Sequence, residues 1–172
     1  MTSAAEFEQN LQIGQQFETE VAEKVIRSVL SPDGYIIPTH NWQVDQGNNR
    51  GPRILLPSGG KVTLPDFFVI DPVNGTKTLI EAKYKKKAAY VNGHDGYCVE
   101  QYKCWDYQRA ARLMDASLLF LIGDGTTQEV LLYDPSETDT YTTHTFNNKF
   151  TKFKPVDNWV FLKHKGTKVD IK

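Results

Sequence analysis

"TLPDFFVIDPVNGTKTLIEAKYKKK", residues 63–87, decides how the rest of the chain is read. Two runs rich in β-branched and aromatic residues flank PVNG, a strong turn signal, so the stretch predicts two strands joined by a turn. Glu81 and Lys83 alternate with Ile80 and Ala82. In a strand that spacing puts the two charges on one face and the apolar pair on the other, toward the core. Pairing across the turn brings Asp66 beside Glu81. Charged groups at such positions cost free energy unless they are paired or bound. Two neighbouring carboxylates also repel, and one takes up a proton unless a cation sits between them.

A hard divalent cation such as Mg²⁺ suits that pair, because it takes oxygen ligands and keeps several waters. Such a site fits phosphodiester hydrolysis, which needs a nucleophilic water and stabilisation of extra negative charge. The metal would lower the pKa of its water, and Lys83 would add positive charge and position that water. The same three residue types also make ordinary surface ion pairs that contribute little.

Two further elements bear on that choice. Residues 5–30 predict one long helix, with Phe7, Leu11, Phe17, Val21, Val25 and Val29 at helical spacing, stopped by SPDG. Glu18 falls off its polar face, in line with Gly14, Ala22, Val25 and Val29, where a carboxylate wants a partner; a helix-edge glutamate with a packed stem is the plainer reading. Residues 97–114 predict a second helix. Cys104, Tyr107, Ala111 and Met114 form its apolar stripe. Gln101, Trp105, Gln108 and Arg112 form a neighbouring stripe of amide, aromatic and guanidinium groups, which suits a nucleic-acid surface or simple packing of Trp105.

Elsewhere, YIIPTHNWQV (35–44) predicts a strand interrupted at Pro38, and DQGNNRGP a polar loop. RILLPSGGKVTLPDFFVID predicts a short strand, a PSGG turn and one longer strand. ASLLFLIGD is a continuous apolar run, as in a central strand buried on both faces. QEVLLYDP pairs beside it, and NWVFLKHK supplies a last edge strand. The order predicts an α/β domain with a mixed central sheet flanked by helices.

Bulk properties narrow the class. At 172 residues, 40% hydrophobic and 24% charged, the chain suits one globular domain. It has no apolar run long enough for a membrane span. The first residues lack the pattern of a signal peptide, and two cysteines make no disulfide framework, so a cytoplasmic location is expected. Cys98, Cys104 and His94 have the residue types of a metal site but not a usual spacing; half-buried thiols are the plainer expectation. The net charge of −1 excludes a generic basic coat for DNA, so a DNA contact has to be local. The run Lys85, Lys86, Lys87 and the loop residues Arg50 and Arg53 are candidates, and His94 and Asp95 are read as a loop before the second helix.

Together these residues resemble the PD-(D/E)xK nucleases, the restriction-endonuclease-like superfamily. Pro65-Asp66 and Glu81-x-Lys83 match its signature, Glu18 in IGQQFETEVAEKVI resembles the glutamate of its first helix, and Gln101 in VEQYKCW resembles the glutamine of the helix after the lysine. The Gln101–Trp105 spacing is most similar to Holliday-junction-resolvase-like and VRR-type nucleases. The resemblance covers residues 5–122, with 123–172 as a C-terminal extension of one domain. It implies Mg²⁺ or Mn²⁺ held by Glu18, Asp66, Glu81 and the Ala82 carbonyl, with Lys83 serving the attacking water and Gln101 supporting Lys83 or a phosphate. It implies an endonuclease acting on duplex or branched DNA in recombination, repair or restriction. Trp105 and Arg112 join the lysines and arginines as DNA contacts. The competing reading is a non-catalytic DNA-binding or assembly module of the same fold. A homodimer would suit double-strand cutting, with Phe146, Phe150, Phe153 and Trp159 as interface candidates.

Overall fold

The computed structural model describes residues 4–30, 32–42, 52–146 and 155–170. The fold is mixed α/β. A six-stranded sheet has the order β1 (Tyr35–Pro38), β4 (Phe67–Ile70), β5 (Lys77–Lys85), β8 (Ser117–Asp124), β9 (Glu129–Tyr133), β12 (Thr167–Val169). Only β5 and β8 run parallel, Glu81 facing Phe120 and Lys83 facing Ile122 in register. A four-stranded antiparallel sheet has the order β10 (Tyr141–Phe146), β11 (Val156–Leu162), β7 (His94–Glu100), β6 (Ala89–Val91), and β2 (Arg53–Leu55) pairs with β3 (Lys61–Thr63).

From Phe67 to Lys85 the quoted stretch folds as its sequence predicts. β4 and β5 pair antiparallel with Phe67 opposite Ile80, so Asp66 falls next to Glu81 just past the end of β4. The turn holds because the Gly75 N–H donates to the Asp71 carbonyl, with Gly75 at φ +71°, a conformation suited to glycine. The apolar run Ser117–Asp124 is interior to the sheet, between β5 and β9.

Both faces of the large sheet are covered. The first helix is α-helical over Ala4–Gln16 and Glu23–Val25 and π-helical over Phe17–Ala22 and Ile26–Leu30. It buries Phe17, Ala22, Val25 and Ile26 against Ile80, Ala82 and Leu121. Gly123 makes room for it, because a Cβ there would lie 2.5 Å from the Phe17 ring. On the opposite face the second helix, Gln101–Met114, buries Cys104, Tyr107, Ala110 and Ala111, and together with Trp159 and Phe161 of the small sheet covers Leu79, Phe120 and Ile122. The face that carries Glu81 and Lys83 is therefore a second core, not an open one.

Four sequence expectations change. The long strand before PVNG is broken at residues 64–66, so that β3 and β4 belong to different sheets. The second helix starts at Gln101; residues 97–100, Cys98 among them, belong to β7, where Tyr97–Glu100 pair with Asn158–Phe161. His94 and Asp95 open that strand instead of lying in a loop. NWVFLKHK supplies an interior strand, β11, and Trp159 is 2% exposed and stacked on Tyr141 at 3.9 Å, which removes it as an interface residue.

The segment after residue 122 is integral, since β9 and β12 complete the large sheet. Phe150, Phe153, Arg50 and most of DQGNNRGP lie outside the described residues. Among the described residues no helix is long and apolar enough to cross a membrane.

Candidate active site

The end of β4 is fixed by a residue that the sequence did not single out. Thr39 is buried, its N–H donates to the Asp66 carbonyl at 2.8 Å, and its hydroxyl donates to the Pro65 carbonyl. With its backbone held there, Asp66 turns its carboxylate to β5 and accepts the Ala82 N–H at 2.9 Å. The N–H and C=O of one strand residue lie on the same side, so the Ala82 carbonyl also faces this edge, past the last β4–β5 rung.

Glu81 is 1% exposed and makes a lopsided set of bonds. Its Oε1 accepts the Lys83 ammonium at 2.5 Å and the Tyr107 hydroxyl at 2.8 Å. Its Oε2 is buried and has no hydrogen-bond partner. Buried polar atoms are nearly always satisfied, so such an atom calls for an account. Tyr107 reads in the sequence as one more member of an apolar stripe. The overlooked signal was its hydroxyl, which finds a polar partner when it is buried.

The charges around Glu81 do not balance. Burial pushes the Asp66 carboxyl well up, and the nearby Glu81 and Glu18 charges add to that, against Lys83 and the Ala82 N–H. Burial also raises Glu18, opposed by Lys83 and reinforced by Glu81. Glu18 comes from the helix on the other face of the sheet, yet it sits in the field of Lys83 and Glu81. Burial works to lower the Lys83 pKa, but Glu81 and Asp66 outweigh it and the pKa rises, so the ammonium stays charged. Three carboxylates thus share one lysine.

A divalent cation would fill both deficits, the missing positive charge and the missing partner of Glu81 Oε2. Asp66 and Glu81 are the donors placed for it, with the Ala82 carbonyl and Glu18 nearby. Among the described residues no three His, Cys, Asp or Glu side chains come together as a group that could hold a metal ion, and the expected set Glu18, Asp66 and Glu81 is not such a group. His94, Cys98 and Cys104 do not form such a group either, and the His94 ring lies 5.2 Å from that of His164.

Asp66, Glu81 and Lys83 line a cleft of about 770 Å³, whereas Glu18 and Ala82 are not among its lining residues. One wall is the β2–β3 pair, with Arg53, Lys61 and Thr63, and the other is the second helix, with Tyr102, Lys103, Asp106 and Tyr107. The Thr63 N–H donates to Asp106 at 3.1 Å and ties the walls together.

Of the expected contacts, Arg53 lines the cleft, whereas the helix lines it with residues other than Gln101, which is half-buried in the first turn. Trp105 is exposed, and Arg112 borders a separate hollow near Ala116 and Pro135. Lys85 is half-buried, its pKa lowered by burial against the pull of Glu100, and Lys86 and Lys87 are exposed after β5. Comparison of the chain with family models, curated proteins and solved structures finds no match.

Proposed function

We propose that the protein is a Mg²⁺- or Mn²⁺-dependent nuclease that hydrolyses DNA phosphodiester bonds, cutting within the strand. One observation carries this reading. A buried glutamate neighbouring Asp66 spends one oxygen on Lys83 and Tyr107 and leaves the other unpartnered, and it lines a cleft that also carries Arg53, Lys61 and Lys103.

The bound metal would act as a Lewis acid on the phosphate and lower the pKa of an attacking water. The chain's own groups do the rest. Arg53 and Lys61 attract the phosphate backbone into the cleft. Lys83, held as an ammonium, donates hydrogen bonds to a water or a phosphate oxygen and offsets the charge that builds up as the water attacks. Tyr107 and Lys83 together fix the Glu81 carboxylate, so that its Oε2 does not rotate away. Thr39 fixes Asp66 from the backbone side.

Purified protein is expected to cleave oligonucleotide DNA with Mg²⁺ or Mn²⁺ and not in EDTA, and Asp66→Asn is expected to abolish cleavage while the circular dichroism spectrum is kept. DNA binding with no metal-dependent cleavage under any of these conditions would favour the non-catalytic DNA-binding reading. A parallel RNA substrate decides whether the sugar matters, since that discrimination depends on contacts to the 2′-OH.

Tyr107→Phe gives a second expectation. Groups that orient metal ligands typically contribute about 10–100-fold in metal affinity. Calorimetric titration with Mn²⁺ should show at least about tenfold weaker binding in the variant. Unchanged affinity would mean that the hydroxyl only satisfies the core.

A further inference from the structure

Two large aromatic side chains stand in water on the helix that walls the charged cleft. Tyr102 and Trp105 are 59% and 56% exposed on the second helix. They are three residues apart, which makes them neighbours on the helix surface. Tyr102 lines the cleft itself, with the Lys103 ammonium 5.9 Å from its ring centre. The opposite wall presents Arg53 and Lys61. Cations that track a backbone, facing aromatic rings on which bases can stack, are the two components of single-strand recognition.

The depth of the site points the same way. Glu81 is 1% exposed, so a scissile phosphate has to descend between the walls to reach it. The walls are joined at Thr63–Asp106. The cleft volume of about 770 Å³ belongs to the class of pockets that hold a small ligand, which suits an unstacked nucleotide lowered into it. A base in a duplex has both faces covered by its neighbours and offers none to Tyr102, whereas a single strand can turn a base outward and lower its phosphate.

We propose that the cleft takes one unpaired DNA strand, with a base next to the scissile phosphate stacked on Tyr102 and the strand continuing over Trp105, while Arg53 and Lys61 contact its phosphates. The substrate is therefore DNA that is single-stranded at the point of cleavage. This rests on the nuclease reading for the word "cleavage", but the binding half of it does not, and the two are tested separately.

The test is a fluorescence-anisotropy titration of a labelled single-stranded oligonucleotide and of the same sequence as a duplex, in EDTA so that nothing is cut. The wild-type protein should bind the single strand at least about tenfold more tightly. Tyr102→Ala should weaken single-strand binding about tenfold or more, Tyr102→Phe should hold it within about twofold because the ring is kept, and duplex binding should not respond to either. Equal affinity for the two DNAs would overturn the proposal. So would a loss in Tyr102→Ala that is the same for both DNAs, or no loss at all. Selective single-strand binding without cleavage in Mn²⁺ would leave this inference standing and remove the nuclease.

Discussion

Lys83→Met is expected to lower metal-dependent DNA cleavage by about 10³-fold and to destabilise the metal-free protein, most of all at alkaline pH. The activity loss follows from removing the one cation placed to meet the developing charge, an effect that typically costs about 10²–10³ in turnover, with the lost water positioning added to it. The stability loss has a different origin. Lys83 is the ammonium bound to Glu81, which is 1% exposed, and taking one partner from a buried pair leaves an uncompensated charge at about 3–5 kcal/mol.

The pH dependence has a definite sign. Asp66 and Glu18 are raised above their ordinary values of 3.8 and 4.5 even with Lys83 present, and Lys83 opposes both shifts. Without it the folded state holds its protons to still higher pH than the unfolded state does. Stability of the variant then falls as pH rises above about 4, so the gap from wild type in urea denaturation should widen from pH 5 to pH 8. Mn²⁺ supplies the missing charge and should narrow that gap without restoring cleavage. Wild-type cleavage by Lys83→Met would remove the proposed site; a stability gap independent of pH would remove the account of its electrostatics.

The parts of this site that the sequence reveals are those set by local rules. The Glu81–Lys83 spacing, the turn at Gly75 and the alternation on β5 fix which residues share a face, and the Phe67–Ile80 register follows from them. What the sequence hides depends on partners far along the chain. Residues 97–100 look like the start of the Gln101 helix because Tyr97, Gln101 and Cys104 continue a helical spacing; they are a strand because β11 pairs with them. Leu64–Asp66 look like the middle of a strand because their partners lie far away: the Leu64 N–H donates to the Pro52 carbonyl and the Asp66 carbonyl accepts from Thr39, although Pro65, which has no N–H for a ladder, is a local mark of the break. Tyr107 hides among apolar neighbours, since the hydroxyl that matters meets Glu81 only once helix and sheet are packed. The first helix shows its length in its periodicity, but nothing local marks the π-helical turn Phe17–Ala22 that contains Glu18. Such turns often occur at functional positions, and here one brings Phe17 against Gly123.

A stability effect as large as that of Lys83→Met is expected away from the cleft, at Asp124. This residue ends β8, is 1% exposed, and holds the two sheets together. Its Oδ2 accepts the Tyr97 hydroxyl at 2.6 Å and the Lys163 ammonium at 2.5 Å, and its Oδ1 accepts the Thr126 N–H at 2.8 Å. Tyr97 belongs to β7 of the small sheet, and Lys163 follows β11 directly. Asp124→Ala removes an acceptor from these three donors and from the Thr127 N–H, 3.4 Å from Oδ1, and leaves the Tyr97 hydroxyl, which is itself buried, without one. The expected cost is about 3–5 kcal/mol, which for a domain of this size lowers the melting temperature by about 10 °C or more. Burial alone would raise the Asp124 carboxyl, but the bonds from Lys163, Tyr97 and Thr126 outweigh it and hold the pKa well below 3.8. A depressed carboxyl contributes stability that is present above its unfolded value and lost as pH falls below it. Urea unfolding of wild type should therefore weaken steeply below about pH 4, and Asp124→Ala should flatten that acid limb while leaving the decline that Asp66 and Glu18 impose on the alkaline side. Because Asp124 lies outside the cleft, cleavage measured well below the variant's melting temperature should stay within a few-fold of wild type. An unchanged acid limb would show that the two sheets are held by apolar packing alone.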